Sequence, residues 1–250
     1  MLRNKRFWGF LLILCLILIP MSVYQHAGSD VVEQNAPWYE FLGWFLEGSF
    51  NKPEHHGFLF LAMELLLLLQ ILPEVNEQRL VRMSRREHWR KTWAAMGISA
   101  FAFSTLFSLI QFFMTLIFID PTVMLRSGFA TVSVLFFVRI FCVYMVENGV
   151  FGILYVILLR KEVAAALCTV FFMVIFYWVY ERLNWGSDEG IWQTLNLMKD
   201  LRVYSAFYSD GGLDLFAYGL ATVKHLLWMG LLYLGSLWIF EKRDILNGKK

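Results

Sequence analysis

An all-α integral membrane protein with six transmembrane helices is the fold this chain predicts, and three observations predict it. Its 250 residues are 58% hydrophobic and 18% aromatic but only 17% charged, against about 25% charged residues in an average soluble domain. Several apolar runs reach the roughly 18 residues that a helix needs to cross a hydrocarbon core of about 30 Å. The run "FLFLAMELLLLLQIL" at 58–72 is apolar on every face, unlike the alternating strands of a membrane barrel. The chain is read as one transmembrane domain, 1–250.

The first span falls at 7–24, after Arg3, Lys5 and Arg6, with Pro20 near its end. A cleaved signal peptide over 1–27, ending near "HAG", is the competing reading; removing it would set the charge bias described below against the orientation. The following "APWYEFLGWFLEGSF" (36–50) suits an aromatic belt anchor or a short interfacial helix. The second span, 57–73, closes on Pro73, and the third, 94–118, is followed by Pro121. Prolines at span ends break a helix without stranding backbone groups in lipid. The fourth run, 128–159, would be about 48 Å of helix, too long for one upright crossing, and its "ENGVFG" (147–152) suggests a tilt, a kink or a cytoplasmic extension. A fifth span is read at 163–180. Between it and the sixth, 215–240, Ile191, Leu195, Met198 and Leu201 recur at helical spacing opposite Gln193, Asn196, Lys199 and Asp200, the pattern of an amphipathic helix lying at the outer face or re-entering it. Asp210-Gly211-Gly212 reads as a turn.

Fifteen of the 22 lysines and arginines fall in the N-terminus, the 71–93 stretch, the Arg160-Lys161 pair and the C-terminus. Only Lys52, Arg126, Arg182, Lys199 and Arg202 fall in the alternate segments. The positive-inside rule therefore places both termini in the cytoplasm.

The three cysteines lie inside apolar runs and suggest buried thiols rather than a disulfide framework. His55-His56 is adjacent rather than helically spaced, and His26, His88 and His225 stand apart, so no metal site is expected. The chain carries no G-x-x-x-x-G-K-[ST] loop to cradle a nucleotide. No catalytic residue, cofactor or metal ligand is assigned. Glu64, Arg139, Glu147 and Lys224 lie within or near spans, where a charge costs about 2.5–3.5 kcal/mol on insertion scales. A Glu64–Arg139 pair is the preferred expectation, and Lys224 is placed to snorkel. The functional alternative has Glu64 and Glu147 lining a route for a cationic amphipathic peptide; the plainer one has charge pairs that hold helices together.

The stretch "ILPEVNEQRLVRMSRREHWRKTW" (71–93) puts Arg79, Arg82, Arg85, Arg86, Arg90 and Lys91 between two apolar runs. No nucleic-acid-binding fold surrounds it, so nucleic acid is not an expected partner, whereas lipid attraction is worth about 1 kcal/mol per base. With "LPEVNEQRLVRMSRREHW" after the second span, an amphipathic segment between the fifth and sixth, and "IFEKRDIL" closing the sixth, the layout resembles the permease subunit of a bacterial ABC-2 type exporter. The small six-span permeases of antimicrobial-peptide immunity and export belong to that group. The resemblance implies a cytoplasmic coupling helix, 76–90, that docks on a separate ATPase through Glu77, Arg79, Arg82, Arg85, Arg86 and Trp89. It also implies ATP bound on that partner, a second permease, and residence in a bacterial cell membrane. Orientation with lipid contact alone is the other reading of the same bases. A stand-alone immunity or peptide-binding membrane protein, or an ion-coupled secondary transporter using Glu64 or Glu147, are the alternative functions.

Overall fold

The structure is a computed structural model that describes residues 5–27, 55–73, 84–118, 129–158, 161–183, 197, 199–201, 203, 207–209 and 212–242. These residues form helices α1 (Lys5–Ala27), α2 (His56–Leu69), α3 (Arg85–Phe118), α4 (Phe129–Ile157), α5 (Glu162–Leu183) and α6 (Leu215–Lys242), with a two-stranded hairpin before α6. Four of them, α1, α3, α4 and α6, are long and apolar enough to cross a membrane. The apolar part of α2, His56–Leu69, is shorter than that criterion, as is Glu162–Tyr177 of α5; fourteen helical residues rise only about 21 Å.

Local chemistry explains most of the boundaries. α2 opens as a π-helical turn, His56–Phe60, in which the Leu61 amide donates to the His56 carbonyl. It closes when the Gln70 and Ile71 amides donate to carbonyls three residues back, at 3.1 and 2.9 Å, a tightened last turn that leads to Pro73. α3 starts at a side-chain cap: the Ser84 hydroxyl accepts from the Glu87 amide at 3.2 Å. α1 runs through Pro20 to Ala27 instead of ending near it, because one lost backbone bond is tolerated inside a long apolar helix. α4 is one continuous helix through its glycines. Those glycines admit neighbours: a Cβ at Gly149 would lie 2.8–2.9 Å from Leu232, and one at Gly152 3.3 Å from Met96 and 3.5 Å from Trp89.

α4 is the hub, touching α2, α3, α5 and α6. Pairings such as Phe101 with Phe137 and Phe112 with Phe129 run α3 antiparallel to α4. Arg139 with Thr222 and Gly149 with Leu232 run α6 parallel to it. The core is aromatic where α2, α3 and α4 meet, with Phe60, Phe103, Phe107 and Tyr144 buried in mutual ring contact. The outer faces of α1, α5 and α6 expose large apolar side chains, including Leu16, Phe171, Phe216, Leu227 and Leu231, the surface a helix presents to hydrocarbon.

Of the amphipathic segment expected at 191–208, residues 191–196, 198, 202 and 204–206 lie outside the described residues. Lys199–Leu201 form a 3-10 turn, and Asp200, expected on the polar face, is buried together with Leu201. Strands β1 (Tyr208–Ser209) and β2 (Gly212–Leu213) pair antiparallel with Ser209 opposite Gly212; of the turn expected at 210–212, Asp210 and Gly211 lie outside the described residues. Asp214 then caps α6, its Oδ1 accepting from the Ala217 amide at 2.9 Å.

Candidate functional site

Two polar clusters and one charged clasp carry the residues singled out in the sequence. In the first cluster the fully buried Glu64 of α2 lies between α3 and α4. The Asn148 Nδ2 group donates to Glu64 Oε1 at 2.9 Å and sits 3.3 Å from the Met96 carbonyl. The Ser99 hydroxyl donates to the Glu64 backbone carbonyl at 3.3 Å. One turn toward the start of α4, the Tyr144 hydroxyl meets His56 Nδ1 at 2.9 Å. Glu147 is as buried as its neighbours and neither of its carboxylate oxygens has a hydrogen-bond partner among the described residues; Glu64 Oε2 and Asn148 Oδ1 are in the same position. Glu147 interacts electrostatically with Glu64, a like charge.

The second cluster joins α4, α6 and the 199–213 segment around Arg139, which is fully buried. Its Nη2 donates to the Tyr218 carbonyl at 2.5 Å and to Thr222 Oγ1 at 3.0 Å. The guanidinium lies over the Tyr218 ring, 4.0 Å from its centroid, and over Phe207 at 5.0 Å, positions favoured by the ring quadrupoles. His225 Nδ1 donates to the Ala221 carbonyl at 2.8 Å. That bond fixes its hydrogen, so the 3.4 Å approach of Arg139 Nη1 to the same nitrogen is a contact between two donors rather than a hydrogen bond. Asp200 supplies the negative charge, 2.6 Å from Lys224 Nζ and 3.5 Å from His225 Nδ1, and it acts electrostatically on Arg139.

The expected Glu64–Arg139 pair does not form. Glu64 is level with Asn148, nine residues and about 13 Å along α4 from Arg139, and each residue has its own set of partners. Lys224 pairs with Asp200 where a snorkelling side chain was expected. Asn148, His56, Tyr144 and Asp200 were not among the sequence candidates. The signal for Tyr144 and Asn148 was the helical spacing of Tyr144 with Glu147 and Asn148, which does not reveal which neighbour lies opposite; His56 was marked only by its adjacency to His55.

The charged clasp fastens the start of α3 to the end of α6. Arg85 Nη1 donates to the Glu241 carbonyl at 2.7 Å, and Arg86 Nε to Glu241 Oε1 at 2.5 Å. Beneath them, the Trp89 ring stacks on Phe240 with centroids 5.1 Å apart. Lys91 reaches back to Glu87 at 3.2 Å. Trp89, expected among the residues a partner grips, is instead fully buried, packed between Phe240 of α6 and Gly152 of α4. From Arg85 on, the expected coupling helix is the first part of α3 itself; Glu77, Arg79 and Arg82 lie outside the described residues. Among the described residues no group of three or more His, Cys, Asp or Glu is placed to hold a metal ion.

The chain matches no family model, no curated protein and no solved structure.

Proposed function

We propose that this chain is the membrane-spanning permease subunit of an ATP-driven exporter of the ABC-2 type, moving an amphipathic substrate, a peptide or a lipid-like molecule. In this reading all six helices cross a bacterial cell membrane, with both termini in the cytoplasm. Two permeases and two ATPase subunits make the complete exporter, and ATP is bound and hydrolysed on the partner alone.

The observation that carries the reading is the clasp at Glu241. Arg85 and Arg86, within the basic stretch, bond directly to the last turn of α6, and α6 packs along α4. A push on the basic stretch is thereby delivered to two long helices at once, the mechanical linkage a permease without its own nucleotide site requires. The alternating direction of α2, α3 and α4 and the exposed apolar faces of α1, α5 and α6 support the six-span arrangement.

The test is a pull-down of the tagged chain from its native membrane in mild detergent, with mass spectrometry of the co-purifying proteins. An ATPase at near-equal stoichiometry, lost when Arg82 and Arg86 are reversed to Glu but retained in Glu241→Gln, supports the proposal. The Glu241 control removes the Arg86 ion pair without changing the basic surface. A chain that purifies alone, or with a bound peptide only, contradicts it and favours an immunity or peptide-binding protein.

A further inference from the structure

The Glu64, Glu147 and Asn148 cluster lacks something that the described residues do not supply. Every polar atom left over on these three side chains is an oxygen: Glu64 Oε2, both oxygens of Glu147, and Asn148 Oδ1. All three residues are at most 1% exposed, so bulk water does not take up the deficit, and a buried acceptor without a donor is costly. Turning the Asn148 amide over would offer a donor to the vacant side. It would also break its bonds to Glu64 Oε1 and the Met96 carbonyl and set Oδ1 against the carboxylate. The amide orientation is therefore fixed by its neighbours, and Oδ1 is left without a donor among the described residues. The one buried arginine on α4 is committed to the Tyr218 carbonyl and Thr222.

Four buried oxygens, three of them from carboxyl groups, with no donor or cation bonded to them among the described residues, are the donor set of a hard cation. Oxygen-only ligation selects alkali and alkaline-earth ions over the softer transition metals. Magnesium fits poorly, because it sheds water reluctantly and demands octahedral geometry. We propose that Glu64, Glu147 and Asn148 form a binding site for a hard cation, sodium or calcium, whose remaining ligands are waters carried in with it. The π-helical opening of α2 at His56–Phe60 and the His56–Tyr144 bond hold α2 against α4 beside the site; π turns of this kind recur at functional positions. The site belongs to this chain alone and stands whether or not an ATPase drives transport.

The experiment is thermal unfolding of the purified full-length chain in detergent, in choline chloride at constant ionic strength, with sodium chloride or calcium chloride titrated in. One of the two ions is expected to raise the midpoint saturably by about 5 °C at tenfold its dissociation constant. The response should vanish in Glu147→Gln and in Glu64→Gln, whose amides keep the side-chain shape. Equilibrium binding of the radiolabelled ion should give one per chain in the parent and none in the variants. A midpoint indifferent to both ions overturns the proposal, as does a response that survives in both variants or a shift that follows pH alone.

Discussion

The two polar clusters on α4 lie little more than two turns apart and are built on opposite principles. Around Arg139 the buried charge is surrounded: two hydrogen bonds, two aromatic faces, and the Asp200 carboxylate nearby. Around Glu147 the buried carboxyl group is left open, with the Glu64 carboxyl as its electrostatic neighbour and no donor at either oxygen among the described residues. A surrounded charge resembles a rivet, because removing it strands several partners at once. An open charge resembles a socket, because removing it strands none. The difference assigns structure to the Arg139 cluster, which ties the 199–213 segment to α4 and α6, and binding to the Glu147 cluster.

Substitutions that break or sharpen this contrast follow in order of expected size. Arg139→Gln should destabilise the chain by about 3 kcal/mol, the scale for removing one partner of a buried charged network, read as lost yield of monodisperse protein in detergent. Gly149→Ala should cost about 2 kcal/mol, because its Cβ would meet the Leu232 Cβ and Cδ1 at 2.8–2.9 Å and α4 and α6 have to separate; chemical denaturation measures it. Asp200→Asn should cost about 1 kcal/mol by loosening the part-buried Lys224 pair, and should speed protease cleavage within 199–213. Glu147→Gln, measured without sodium or calcium, should change stability by less than about 0.5 kcal/mol or raise it, since no hydrogen bond is lost. Arg86→Glu should lower the melting midpoint only slightly, because the Arg86 side chain is 73% exposed and a surface pair is worth little, while transport stops if the basic stretch couples to an ATPase.

Much of the helical layout is legible in the sequence, because apolar run length dictates where a membrane helix can lie. The runs read at 94–118 and 215–240 correspond to α3 and α6. The candidate sites are less legible, for a physical reason. Glu64, Arg139 and Glu147 are conspicuous as charges in apolar runs, but their partners depend on the register between helices, which close packing sets. Gly149 against Leu232 fixes α6 on α4, and Ser99 and Asn148 fix the level of Glu64. Neither relation leaves a periodic trace in the sequence. Trp89 shows the same limit: its basic flanks suggest a surface residue, and its stacking on Phe240 of a distant helix makes it a core one.

Thermal unfolding of Arg139→Gln and Glu147→Gln side by side, in the same detergent free of sodium and calcium, tests the central contrast most directly. A midpoint about 10 °C below the parent for Arg139→Gln, with Glu147→Gln at or above the parent, is the predicted result. Equal losses in both variants would make the Glu147 cluster as structural as the Arg139 cluster and contradict the account.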